Sequence, residues 1–416
     1  MTGPGPACRL CGSTQLHTFV DLGKSPLCES FLSAEQLDEA EPFYPLHVRI
    51  CEECLLAQLP AYVSASEIFR DYAYFSSYSE SWVAHAAAYA ELIVQRLGLA
   101  SGSLVVELAS NDGYLLQHFV RQGISTLGID PAANVAEAAR ARGVETIVDF
   151  FDSRLAKRLV DEGRRPDLVV ANNVLAQVPG LNDFVAGIEI LLAPHGVATI
   201  EVPHFVRLIE DLQFDTIYHE HYSYFSFTTL VRLFASHGLE AFDVEELPSH
   251  GGSLRVYVKR SGDDAYEVGP SVARLLDRER TGGYDRLDVY ADFGDRVVET
   301  RWRLLDLLIS LRREGKQVVG YGAPGKGNTL LNYCGIRADL LAYTVDRNPH
   351  KHGKYLPGTH IPIYAPSKID ETRPDYILVL PWNLKKEIAM QLSYIQTWGA
   401  QLIVPIPRPE VLPWPS

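Results

Sequence analysis

The chain has 416 residues, with 38 Lys+Arg against 52 Asp+Glu (net charge -14), 47% hydrophobic and 22% charged. This apolar content excludes wholesale disorder, the length calls for two or three domains, and the acidic balance without a basic run argues against nucleic acid or an anionic membrane as partner. No apolar stretch approaches the roughly 20 residues that span a bilayer, and the start lacks the pattern of a signal peptide, so a soluble cytoplasmic protein is expected.

The first segment, residues 1–76, holds Cys8-Arg-Leu-Cys11 and Cys51-Glu-Glu-Cys54. Four thiolates presented in two CxxC pairs close the tetrahedral shell of a structural zinc ion, which leaves Cys28 outside the set. Redox chemistry is disfavoured because no βαβ pattern surrounds either pair. Residues 77–260 alternate helix and strand: a helix at 84–99, strands at 103–109, 126–131, 144–149, 167–174 and 196–202, a helix at 226–238, and strands at 239–247 and 252–260. That alternation predicts a doubly wound, mostly parallel sheet with an antiparallel pair at one edge. Residues 261–416 open with an Arg-rich helical stretch and repeat the strand-turn-helix plan from 317 onward, as a second, smaller α/β unit.

Ligands of open α/β sheets bind at the carboxyl ends of the strands. In the second segment those ends carry Glu107, the turn Ala109-Ser110-Asn111-Asp112-Gly113, then Asp130, Asp149-Phe150 and Asn172. An acid ending the second strand can accept both hydroxyls of a ribose, and a tight turn lets backbone approach a ligand closely. This arrangement resembles the class I S-adenosylmethionine (SAM) methyltransferase fold. The resemblance implies that Glu107, Ala109, Asn111 and Gly113 cradle the methionine part, Asp130 the ribose, and Asp149 with Phe150 the adenine, Asn172 completing the set. Ala109 stands where that fold usually has glycine; alanine takes an ordinary φ, so a slightly different turn is expected. A rival site is Gly320-Tyr-Gly322-Ala-Pro-Gly325, a GxGxxG with Asp346 as the ribose acid, in which Pro324 and Lys326 are atypical. The other reading of that turn is one that offers its amides to a substrate phosphate.

The densest ionisable cluster is Tyr218-His219-Glu220-His221-Tyr222, after the fifth strand. Its histidines are two apart, unlike a zinc-protease helix, and an extended run would put them on one face. A base with a near-neutral pKa flanked by phenols suits removal of a proton alpha to a carbonyl; a structural hydrogen-bonded corner is the alternative. Tyr72 and Tyr74 lie in a tyrosine-rich linker, and His250 begins the turn between the last two strands of the segment.

The paired CxxC, FRDYAYFSSYS, VVELASNDGYLL, IYHEHYSYFS, SHGGSLRVY and VVGYGAPGKGN occur in an order that resembles, over essentially the whole chain, the three-domain sugar C-methyltransferases acting on nucleotide-linked keto-deoxysugars in antibiotic biosynthesis. The resemblance implies an α/β fold in three parts: a zinc-binding module (1–76), a central class I methyltransferase Rossmann-like domain (77–260) and a smaller Rossmann-like domain (261–416). His221 would remove the proton beside a sugar ketone, with Glu220, Tyr218 and Tyr72 beside it and SAM as methyl donor. The zinc would be structural and distant from the chemistry. Tyr74, Gln177 and His250 join as candidate substrate contacts. The amides near Gly322 and Gly325, with Lys326, would hold a TDP-linked 4-keto-deoxysugar. Relatives commonly carry histidine where Gln177 stands, and glutamine cannot relay a proton at neutral pH. That departure keeps a non-sugar acceptor open, and GxGxxG keeps open a nicotinamide-dependent oxidoreductase.

Overall fold

The run Leu104–Leu108 (β1) is almost wholly apolar and buried, as an interior strand of a parallel sheet must be. In the computed structural model, which describes residues 7–69 and 75–413, it lies at the heart of the first of two units. That unit takes in the chain up to His17, Ile50–Val206 and Glu220–Leu287; the second takes in Thr18–Arg49, Arg207–His219 and the chain from Asp288.

In the first unit, Ser125–Ile129 (β2), Thr146–Ile147 (β3), Leu168–Asn172 (β4) and Val197–Pro203 (β5) run parallel with β1. Leu239–Leu247 (β6) and Ser253–Arg260 (β7) add an antiparallel edge, giving the order β6-β7-β5-β4-β1-β2-β3. Alternate side chains build two cores: Val106, Leu108, Leu127 and Ile129 on one face, Val105, Leu168 and Val170 on the other. The second face is covered by Glu80–Leu97 (α1), which buries Ala86, Tyr89, Ala90 and Ile93. The Ser79 hydroxyl caps this helix by accepting the Trp82 N–H (3.3 Å), and Gly98 ends it in the left-handed region. Phe227–Ala235 (α2), capped by Ser226, and Pro270–Thr281 (α3) contribute to the other core. The direction of winding reverses between β1 and β4, so a crevice opens at their carboxyl ends. The doubly wound sheet with an antiparallel edge is as expected, and a short helix, Leu116–Val120, follows the turn after β1.

In the second unit, Phe293–Arg313 (α4) leads to Val318–Tyr321 (β8) and Gly325–Cys334 (α5). Thr344–Val345 (β9), Ile363–Tyr364 (β10), Tyr376–Val379 (β11), Gln401–Val404 (β12) and Glu410–Leu412 (β13) complete a sheet of order β10-β9-β8-β11-β12-β13, parallel except at β13. Here the winding reverses between β8 and β11, which places the glycine turn after β8 and the Pro381-Trp382 segment after β11 at the switch point. Phe19 stacks on Phe293 (4.4 Å, 14°) and ties the first cysteine-flanked excursion to α4.

Candidate active site

The four predicted metal ligands converge. The sulfurs of Cys8, Cys11, Cys51 and Cys54 lie within 4.8 Å of one another, with Cys8–Cys54 at 3.4 Å and Cys11–Cys51 at 3.5 Å. Zn–S bonds of about 2.3 Å in a tetrahedron require sulfurs about 3.8 Å apart, so the cluster fits zinc. Cys28 lies elsewhere, its sulfur 2.9 Å from where a Cβ on Gly325 would stand. The zinc module also packs against the candidate catalytic loop. Arg9, inside the first knuckle, donates to the Leu59 carbonyl (2.6 Å) and lies over the Tyr222 ring (5.5 Å). The Leu59 N–H donates to the Tyr222 carbonyl (3.0 Å), and Ala57-Gln58 pair with Ser223-Tyr224.

At the carboxyl end of β1, Ala109 has φ 55°, Asn111 φ 48° and Gly113 φ 76°. The ordinary φ anticipated for Ala109 is therefore corrected: alanine adopts the left-handed conformation that glycine would, at roughly 1–2 kcal/mol. Neighbouring bonds hold it there. The Ser110 N–H donates to the Ile129 carbonyl (3.2 Å) and the Asn111 N–H to Asp130 Oδ2 (2.9 Å). Gly113 has no substitute, because a Cβ would stand 3.1 Å from Val144 and 3.2 Å from Ala139. The Asn111 side-chain carbonyl accepts the Ser76 N–H (2.9 Å), and buried Asp112 accepts the Ser77 hydroxyl and pairs with Arg142 (3.2 Å).

Burial, with the charges of Asp130 and Asp112 nearby, raises the Glu107 carboxyl well above its usual range, and its Oε2 is buried without a hydrogen-bond partner. Burial also lifts Asp130 to about 6, although the N–H groups of Ala132 and Asn111 favour its ionised form. Asn172 ends β4 with a buried, unpartnered Oδ1. A buried acid with one unpartnered oxygen and a buried amide oxygen without a donor at the switch point are what a ligand rich in N–H and O–H groups would satisfy, so these residues fit SAM. Asp149 is half-buried and Phe150 is 40% exposed.

The cluster after β5 is a turn at residues 219–220, and its two imidazoles have different neighbours. His219 is buried; its Nε2 lies 3.2 Å from the Tyr44 carbonyl, its ring meets Tyr44 edge-on (5.8 Å), and burial lowers its pKa. His221 is half-buried with its ring edge-on to Tyr224 (6.4 Å), and Glu220 is buried. The Tyr222 N–H donates to the Ala176 carbonyl (2.8 Å), which ties this loop to the turn carrying half-buried Gln177. Tyr72 and Tyr74 lie outside the described residues. His250, with φ 55°, meets Trp82 edge-on (5.0 Å), and Trp82 stacks on His85 (4.9 Å) and Tyr114 (6.1 Å).

One polar network escaped the sequence reading. Glu201, fully buried in β5, accepts from Arg255 Nε (2.9 Å) and lies 3.1 Å from His85 Nε2. Burial opposes its charge, but the His85 hydrogen bond and the Arg255 charge outweigh it and lower its pKa. The available signal was an acid inside a mostly apolar strand.

In the second unit, Gly322 has φ 90° and packs where a Cβ would stand 2.6 Å from Pro381, while a Cβ on Gly325 would come within 3.8 Å of the Tyr218 ring. Lys326 donates to Asn383 Oδ1 (2.9 Å) and lies over the Trp382 ring (4.9 Å), whose indole N–H donates to Asp215 Oδ2 (2.7 Å). Burial lowers the Lys326 pKa and lifts Asp215 to about 6. Asp346, the ribose acid of the rival reading, already accepts the N–H groups of Ala323 (2.7 Å) and Asn348 (2.8 Å) and so braces the glycine turn.

A sheet of this order, with Glu107 near the end of its first parallel strand and Asp130 just after its second, defines a SAM-dependent methyltransferase, and comparison with known proteins agrees. Residues 82–244 match the family described as "Methyltransferase domain", residues 8–69 the "Putative zinc binding domain" and residues 248–407 the "C-methyltransferase C-terminal domain". C-methyltransferase NovU of Streptomyces niveus is 38% identical over 98% of this chain and 97% of its own length. The chain belongs to this C-methyltransferase family. A ubiquinone biosynthesis O-methyltransferase of Chelativorans is 28% identical over 24% of the chain and 41% of its own length. The 1,6-didemethyltoxoflavin-N1-methyltransferase of Burkholderia thailandensis is similar at 20% identity and a TM-score of 0.36, covering 50% of this chain and 95% of its own. Among the described residues no helix is long and apolar enough to cross a membrane.

Proposed function

We propose that the enzyme deprotonates a carbon next to a ketone and methylates that carbon, on a TDP-linked 4-keto-deoxysugar of antibiotic biosynthesis. The observation that supports this reading most is the setting of His221: a half-buried imidazole, edge-on to Tyr224, in a loop bonded to the end of the β4 turn. SAM, when bound, supplies an electrophilic methyl group. The chain's residues do the rest. His221, as neutral imidazole, takes the proton, and the C–H electron pair passes into the enolate that then forms the new C–C bond. Tyr218 and Tyr72 are the phenols assigned to the developing oxyanion, and Glu220 orients the loop. Glu107, Asp130 and Asn172 hold the donor with the turn through Gly113, and Asp149 with Phe150 borders its base. Lys326 and the amides near Gly322 and Gly325 hold the diphosphate, while Gln177, His250 and Tyr74 contact the acceptor.

Gln177 favours a second reading, in which the same chemistry acts on a non-sugar ketone, because an amide orients an acceptor without exchanging its proton. Incubating the zinc-loaded enzyme with SAM in deuterium oxide, with a TDP-linked 4-keto-deoxysugar or with non-sugar ketones, separates the two. Methyl gain and deuterium uptake beside the sugar ketone are expected; methyl gain on non-sugar ketones alone selects the second reading. Calorimetric binding of NAD(H), with none of SAM or S-adenosylhomocysteine, would overturn both.

A further inference from the structure

The amino-acid end of SAM brings one ammonium and one carboxylate to the crevice at the carboxyl ends of β1 and β4. The residues already placed there suit only the ammonium. Glu107 and Asp112 are buried acids, and Asn172 offers an unpartnered amide oxygen. The turn's own donors are used within the protein, because the N–H groups of Ser110, Asn111 and Gly113 go to the Ile129 carbonyl, Asp130 and the Ser110 carbonyl. Arg142 is engaged by Asp112 (3.2 Å) and the Ser77 hydroxyl (2.9 Å). A carboxylate set among buried acids without a donor of its own is costly, so the donor must come from another element.

Helix α1 supplies one. It ends shortly before β1 begins, so its first turns lie by the carboxyl ends of the strands. There His85 stacks on Trp82 (4.9 Å, 16°), and Trp82 stacks on Tyr114 (6.1 Å), whose hydroxyl is hydrogen-bonded to Glu107. His85 Nε2 lies 3.1 and 3.2 Å from the two oxygens of Glu201, which is the ladder neighbour of Asn172. A carboxylate only accepts, so Nε2 carries a proton and Nδ1 is left for a ligand. Among the described residues Nδ1 has no hydrogen-bond partner, and the side chain is 26% exposed. Arg255, whose Nη2 lies 3.4 Å from His85 Nε2, is closed to a ligand: it is 5% exposed, and its donors are directed to Glu201 and Glu245. Three carboxylates, Glu201, Glu245 and Asp243, share the two guanidinium groups of Arg255 and Arg96, so a charged imidazole makes the set neutral and gives Nδ1 an N–H.

We propose that His85 binds the carboxylate of the cofactor's amino-acid end through its Nδ1 N–H, with Glu201 and Arg255 as the positioning residues that fix the ring. The buried acids Glu107 and Asp112 then face the ammonium, and the two charges of the amino-acid end are met from opposite sides by groups of opposite sign.

Calorimetric titration of the full zinc-loaded chain with S-adenosylhomocysteine and with its decarboxylated form, which keeps the ammonium and the nucleoside, tests this independently of turnover. Wild type is expected to bind the complete ligand about 10–100-fold more tightly, the range of one hydrogen bond between charged groups. His85→Phe keeps a ring against Trp82 and removes both nitrogens. It should lose that preference while binding the decarboxylated ligand as wild type does, and this retained binding shows that the site is folded. His85→Gln, which keeps a donor, should recover part of the preference. Equal losses for both ligands in His85→Phe make His85 structural and overturn the proposal; where His85→Phe does not fold, equal losses in His85→Gln do the same. A wild type that binds the two ligands alike overturns it, and so does a His85→Phe variant that keeps the full preference.

Discussion

Glu279, on α3, and His204, just after β5, are both about 1% exposed, and His204 Nε2 lies 2.8 Å from Glu279 Oε1. The same carboxylate accepts the N–H groups of Phe227 and Thr228 (both 2.8 Å) and the Thr228 hydroxyl (2.7 Å). One buried acid thus fastens the end of β5 to the start of α2, the helix that follows the His221 loop. Burial opposes its charge, but the hydrogen bonds and the His204 charge outweigh burial and hold its pKa below the ordinary 4.5. Glu279→Ala strands a buried histidine and two helix N–H groups, so a loss of about 3–5 kcal/mol is expected in denaturant unfolding. The sign with pH follows from the lowered pKa. The stability Glu279 contributes is present above 4.5 and disappears as pH falls through its folded-state pKa, so the difference between wild type and Glu279→Ala should shrink in acid.

Asp130 has the opposite shift. Burial lifts it to about 6, so below that pH the folded protein holds it protonated. A ribose diol needs an ionised acceptor, and cofactor affinity should therefore fall as pH drops through about 6, to about tenfold weaker one unit lower. Calorimetry with S-adenosylhomocysteine between pH 5 and pH 8 measures this. Asp130→Asn should bind more weakly at pH 8 and flatten the profile; an unchanged slope in that variant would remove Asp130 from the ribose role.

Chelation of the zinc should act beyond the N-terminal module, because Arg9, held between two ligands, packs on Tyr222 and bonds Leu59. Cys51→Ala should lose the metal by elemental analysis and lower the melting temperature, each kcal/mol lost costing about 2–4 °C. Arg9→Ala isolates the link. It should retain zinc yet lower turnover, whereas full activity would make the contact mere packing.

How much of this was legible in the sequence depended on whether the signal was local. Cys8, Cys11, Cys51 and Cys54 announce themselves by spacing, and the strand-ending acids Glu107 and Asp130 by their place after apolar runs. Ala109 misled because side-chain identity was taken to fix φ, when flanking hydrogen bonds to Ile129 and Asp130 decide it. Glu279, Glu201 and Asp215 were invisible as partners because their counterparts lie 75, 54 and 167 positions away. No periodicity encodes such a pairing; only the folded chain brings the groups together.

His221→Asn removes a base while keeping a polar side chain of similar reach. A fall of about 10²–10⁴-fold in methyl transfer is expected, with loss of deuterium exchange at the acceptor carbon and cofactor affinity largely retained. Gln177→His should leave the fold intact, since Gln177 is half-buried on a short turn. A changed acceptor preference in that variant would make position 177 a determinant of specificity, and an unchanged one would assign it to packing.

Lys326 separates a binding role from a structural one. Its ammonium touches Asn383 and the Trp382 face, and Asp215 supports its charge. If Lys326 serves only to neutralise Asp215, then Lys326→Met should destabilise the fold, and adding Asp215→Asn should restore both stability and activity. If it holds a phosphate, as proposed, the double variant should regain stability alone. Its KM for a TDP-linked acceptor should stay about 10–100-fold high, the equivalent of one charge-assisted hydrogen bond, while S-adenosylhomocysteine affinity remains unchanged. Recovery of a normal KM in the double variant would move Lys326 out of the substrate site.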